Sequence, residues 1–71
     1  MPDTKKIIGK MIKHQRIKNG LTLAELAAKL DTDKQYVWNL ENGKINMSLD
    51  YLDKIIVQLK LKPKQFFKTV K

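Results

Sequence analysis

Apolar side chains recur along this chain at the three- and four-residue spacing of a helical face, and no segment alternates convincingly at period two. From just after Thr4 to Asn19, Ile8, Met11, Ile12 and Gln15 keep that spacing, and Gly20 suits the position just past a helix end. A second helix restarts at once. Thr22 and Glu25 are spaced as a capping box, and Leu23, Leu26, Ala27 and Leu30 mark an apolar stripe at i, i+3, i+4 and i+7. The polar Asp31-Thr32-Asp33 breaks this helix after barely two turns, and Thr32 or Asp33 can cap a third, which Gly43 ends. Ser48 is placed to cap a fourth helix with Leu49, Leu52, Ile56 and Leu59 inward. Pro63 fits the first position of a fifth, carrying Phe66 and Phe67. The expectation is an all-α fold of five helices, with residues 1–71 forming one domain.

The third helix is the unusual one. On a wheel at about 100° per residue, Val37 and Leu40 define the inward side, with Tyr36 and Glu41 on its flanks. Gln35, Trp38, Asn39 and Asn42 share the opposite side, and Lys34 sits at the edge of the first turn. Two aliphatic side chains anchor it, and its free face carries amides that each donate and accept. Asn and Gln side chains of this kind pair bidentately with the N6 and N7 edge of adenine in the major groove.

Charge sharpens the picture. The 71 residues hold 15 Lys+Arg against 7 Asp+Glu, a formal net charge of +8, with an isoelectric point near 9.9. So large a surplus on a small chain implies a polyanionic partner, nucleic acid or an anionic membrane. No apolar run reaches the roughly 20 residues of a membrane span, and the amino-terminal stretch lacks the long apolar core of a signal peptide. A cytoplasmic protein is expected. Two short helices joined by a tight turn, inside a strongly basic chain, form a helix-turn-helix.

The stretch RIKNGLTLAELAAKLDTDKQYVWNLENGK closely resembles the helix-turn-helix core of the Cro and phage-repressor (XRE-like, lambda-repressor-like) family. The resemblance continues through SLDYLDKIIVQLKLKPKQFF and covers roughly Ile8 to Phe67, leaving short tails. That family includes phage repressors and restriction-modification controller proteins. The resemblance implies a sequence-specific regulator of transcription that binds double-stranded DNA as a homodimer on palindromic operators. Lys34, Gln35 and Asn39 match positions that read base edges, with Tyr36 and Trp38 flanking them near sugar and phosphate. Thr22, Lys44 and the amides after Gly43 match phosphate contacts, which set register without reading sequence. Arg16 matches an arginine that pairs with the glutamate ending the recognition helix, here Glu41. Phe66 and Phe67 are the candidate dimer seam, or both complete the monomer core.

Three positions depart from the family pattern. Leu23 stands where a phosphate-clamping glutamine is common, Asp31 replaces a turn glycine, and Trp38 occupies a position that is more often small and polar. Plainer readings stand beside these roles. Trp38 can fold back over its neighbours, Tyr36 can pack on the scaffold helix, and Gln35 and Asn39 can be ordinary solvated amides. The alternative function is an antitoxin-like or accessory protein-interaction module with secondary DNA binding. RNA polymerase or another protein remains open as a further partner.

The residues of enzyme chemistry are sparse. There is no cysteine and a single histidine, His14, so no metal site is expected. The only serine, Ser48, reads as a helix cap, and Asp31 with Asp33 reads as turn chemistry rather than an acid–base pair. No cofactor and no catalytic residue is expected.

Overall fold

The computed structural model describes residues 3–59, and every regular element among them is a helix. They are α1 (Thr4–Lys18), α2 (Leu23–Lys29), α3 (Lys34–Glu41) and α4 (Leu49–Gln58). The expected count of five is therefore corrected to four for the described residues. A proline permits a first helical turn without nucleating one, so Pro63 is weak ground for a fifth helix. Pro63, Phe66 and Phe67 lie outside the described residues.

All four helices begin with the same device. Asp3, Thr22, Asp33 and Ser48 hold extended backbone at the N-cap, and each side chain accepts the backbone N–H three residues on. Those bonds run from Lys6 at 3.3 Å, Glu25 at 3.0 Å, Tyr36 at 2.8 Å and Tyr51 at 3.1 Å. Each satisfies a donor that has no partner inside its own helix.

The first three helices also end alike. Gly20, Asp31 and Gly43 take positive φ, at 70°, 56° and 70°, and the next residue's N–H reaches back across the last turn. Leu21 donates to Arg16 O at 3.0 Å, Thr32 to Ala27 O at 2.9 Å and Lys44 to Asn39 O at 2.9 Å. This is the Schellman arrangement. Asp31 makes it without being glycine, and Lys54 from α4 steadies it, donating to Leu30 O at 3.3 Å with Asp31 Oδ2 3.8 Å away.

Ten buried apolar residues make the core: Ile12 from α1, Leu26 and Ala27 from α2 with its C-cap Leu30, Val37 and Leu40 from α3, and Leu52, Ile55 and Ile56 from α4 with its C-cap Leu59. The inward set of α4 differs from expectation at two positions. Leu49 is exposed, because the first position of the helix precedes the packed core, and Ile55 is buried as well. α3 packs against both α1 and α2. Against α1 it comes close enough that Gly9 lies on the backbone carbonyls of Leu40 and Glu41, where a Cβ would stand only 2.5–2.6 Å from oxygen. No helix among the described residues is long and apolar enough to cross a membrane.

Candidate nucleic-acid interface

The outward side of α3 is where the fold leaves chemistry available. Val37, Leu40 and Glu41 face inward, while Lys34, Gln35 and Trp38 are exposed and Asn39 is half-buried. Asp33 fixes the start of the helix and Gly43 its end, so these side chains project from a short, rigid segment.

Gln35 and Asn39 are one turn apart and touch. Gln35 Nε2 donates to Asn39 Oδ1 at 3.3 Å, which leaves the Gln35 oxygen and the Asn39 amide hydrogens free. The pair therefore presents an acceptor and donors side by side. Beside it, Leu23 of α2 joins Lys34, Gln35 and Trp38 around an open groove of about 400 Å³. Leu23 belongs to the expected inward stripe, yet it is only partly buried and its side chain supplies an apolar wall to this groove.

Trp38 is 41% exposed, and its indole is not idle: the Lys44 ammonium lies 5.3 Å from the ring centroid. A cation held over a ring face in this way is drawn to its π electrons. Asn42 Nδ2 donates to Trp38 O at 2.8 Å and so turns its side chain back on the helix. Tyr36 points elsewhere. It is half-buried and meets Tyr51 of α4 edge-on, with centroids 5.9 Å apart and planes at 89°. Burial, followed by the neighbouring Tyr36 and Asp31, raises the Tyr51 hydroxyl above its ordinary pKa.

Thr22 lies at the head of α2, exposed and locked in a reciprocal box. Its hydroxyl accepts Glu25 N–H, and the Glu25 carboxylate accepts Thr22 N–H at 2.8 Å.

The structure brings Arg16 and Glu41 together beneath α3. Arg16 Nε donates to Glu41 Oε2 at 2.6 Å and Nη2 to Oε1 at 3.1 Å, while Nη1 donates to Leu21 O at 2.8 Å. One side chain thus joins α1, the end of α3 and the loop entering α2. Both residues are buried, and no buried side-chain polar atom among the described residues lacks a partner.

Sequence reasoning missed Gly9 and the Leu21 carbonyl. A lone glycine within a helical pattern is the only signal that could have flagged Gly9, since it marks close backbone approach. Among the described residues no group of three or more His, Asp or Glu is placed to hold a metal. His14 is exposed on α1.

Comparison with known proteins places this geometry. The helix-turn-helix family model matches residues 12–66. No curated protein matches the chain. Among solved structures, the clp gene regulator ClgR from C. glutamicum superposes with a TM-score of 0.90 at 23% identity, covering 97% of this chain and 88% of that one. The restriction-modification controller protein C.Esp1396I, as a tetramer in complex with its natural 35-base-pair operator, gives 0.86 at 24% identity, covering 99% of this chain and 92% of that one. The same controller protein bound to a 25-base-pair operator site gives 0.83 at 25% identity, with 94% and 88% covered. The capped α2–turn–α3 unit and the family match over most of its length agree: the chain belongs to the helix-turn-helix family.

Proposed function

We propose that this chain is a sequence-specific double-stranded DNA-binding regulator of transcription, acting in the cytoplasm as a homodimer on palindromic operators. The observation that carries the reading is the outward face of α3. Lys34, Gln35 and Asn39 stand there on a helix whose opposite side is fixed by Val37, Leu40 and the Arg16–Glu41 pair. Lysine donates to guanine O6 and N7, and the amides suit adenine. In this reading Thr22 with the head of α2, and Lys44 with the loop after Gly43, hold phosphates, which sets register without reading sequence. C.Esp1396I, 25% identical, has been solved bound to an operator site, which supports the same partner here.

One copy of so short a helix makes few base contacts, so two are needed for useful specificity. A two-fold dimer would place its α3 helices roughly 34 Å apart, one turn of DNA. Selection of bound sequences from a random duplex pool tests this. A palindromic motif is expected, with affinity falling steeply as salt rises, about 0.9 in log K per log salt for each phosphate neutralised. Affinity that stays flat between low and moderate salt would rule the reading out.

A further inference from the structure

The carboxyl end of α3 is flanked by α1 at backbone distance. Besides the seat of Gly9 on the Leu40 and Glu41 carbonyls, a Cβ on Gly43 would come within 2.8 Å of Lys6 Cα. These close approaches hold the outer ridge of α1 at a fixed spacing from the end of α3. That ridge carries Lys6, Lys10 and Lys13, all exposed and stacked on one face at i, i+4 and i+7. With Glu41 and Asn42 they line an open cleft of about 260 Å³.

A row of lysines is most simply a solvated face, and here the helix gains nothing from it. Like charges one turn apart weaken a helix. Glu41 also lines the cleft, but its carboxylate is buried and gripped by two Arg16 donors at 2.6 and 3.1 Å, so it does not neutralise the row. The row meets the carboxyl end of α3: Lys6 abuts Gly43, and the next residue, Lys44, lies over Trp38.

We propose that Lys6, Lys10 and Lys13 form a further phosphate-binding edge, which takes backbone phosphates of the same duplex beside the carboxyl end of α3. Flexible ammonium groups suit this task, since they neutralise phosphate without reading sequence. The proposal rests on the DNA-binding role above and extends the interface onto α1. One competing role is internal: the lysines offset the negative end of the α3 dipole and serve stability instead.

The test uses the duplex that the wild-type chain itself selects from a random pool. Affinity is followed against salt for wild type, for the triple variant Lys6→Gln, Lys10→Gln, Lys13→Gln, and for Lys29→Gln. Lys29 lines a separate cleft with Asn19, Leu21 and Gln58. The triple variant should lower the slope of log K against log salt by about 2–3, at ~0.9 for each phosphate that is no longer neutralised. It should select the same motif and melt at the wild-type temperature, and Lys29→Gln should keep the wild-type slope. An unchanged slope in the triple variant, a lowered melting temperature with the slope kept, or an equal reduction per lysine for Lys29→Gln would each overturn the proposal. Wild type selecting no duplex at all would instead sink the DNA-binding reading, and this edge with it.

Discussion

Arg16 and Glu41 are joined by two parallel hydrogen bonds, of 2.6 and 3.1 Å, across 25 positions of sequence, and both residues are buried. The third Arg16 donor goes to Leu21 O, so the guanidinium sets the end of α3 relative to both α1 and the loop before α2. An exposed ion pair would be worth about 0–1 kcal/mol. Buried, it is costly to break by halves, because the remaining charge is stranded.

Removing one partner should therefore cost about 3–5 kcal/mol, while replacing both with apolar groups should recover much of the loss. Arg16→Met is expected to lower the melting temperature sharply without DNA, and Arg16→Met with Glu41→Leu to restore most of it. Thermal melts of the singles and the double decide this. Small, additive effects would show the pair to be dispensable.

Specificity should follow the outward face of α3. Gln35→Ala and Asn39→Ala should each relax the selected motif at neighbouring positions, at about 1–3 kcal/mol of discrimination. Lys34→Ala should relax preference for one guanine per half-site, and Lys44→Ala should weaken all sequences alike. Sequence selection with each variant reads this out. An unchanged motif in both amide variants would mean that another surface does the reading.

Asp31 holds a left-handed backbone at φ 56° where glycine would rest without strain. Its contact with Lys54, at 3.8 Å between exposed side chains, contributes little in return. Asp31→Gly should stabilise the protein by about 0.5–1 kcal/mol, net of the greater freedom glycine has when unfolded. Urea melts measure the difference, and a destabilised variant would refute the argument.

Acid should expose the box at the head of α2. The Thr22 backbone N–H, then the Thr22 side chain and the charge of Lys29, hold the Glu25 carboxyl below the ordinary glutamate pKa, against the opposing effect of desolvation. A carboxyl with a depressed folded pKa lends stability that is complete above its unfolded value and lost as pH falls through the folded one. Glu25→Ala should thus melt below wild type at neutral pH, with the gap closing in that acid window. A gap that does not depend on pH would place the effect elsewhere.

Much of this was legible in residues that speak locally. Thr22 and Ser48 announce helix starts because short oxygen-bearing side chains reach a nearby N–H, and Gly20 and Gly43 announce ends; for α3 the sequence offered Thr32 or Asp33, and Asp33 is the cap. The wheel of α3 placed Gln35, Trp38, Asn39 and Asn42 outward with Lys34 at the edge, since burial of Val37 and Leu40 fixes the rotation; all are exposed but Asn39, which is half-buried. Positions decided by distant packing were not legible. Leu49 has the spacing of a core residue, but the core ends before it, and it stands 76% exposed. Tyr36 gave no sign of whether it would turn outward or toward Tyr51, because the choice belongs to α4. Arg16 with Glu41 came through resemblance: charge and spacing alone do not distinguish a buried pair from two surface residues.

The seat of Gly9 on the Leu40 and Glu41 carbonyls has a consequence for how such a chain can drift over generations. Where two side chains meet, a change in one can be answered by a change in the other, as Met with Leu would answer for Arg16 with Glu41. At Gly9 the opposite wall is main chain, which every amino acid shares, so no substitution at position 40 or 41 makes room. If the outward residues of α3 read DNA as proposed, descendants can rewrite them one at a time and explore new operators. The hinge line between α1 and α3 offers them no second step, and the geometry that presents those residues is inherited unchanged.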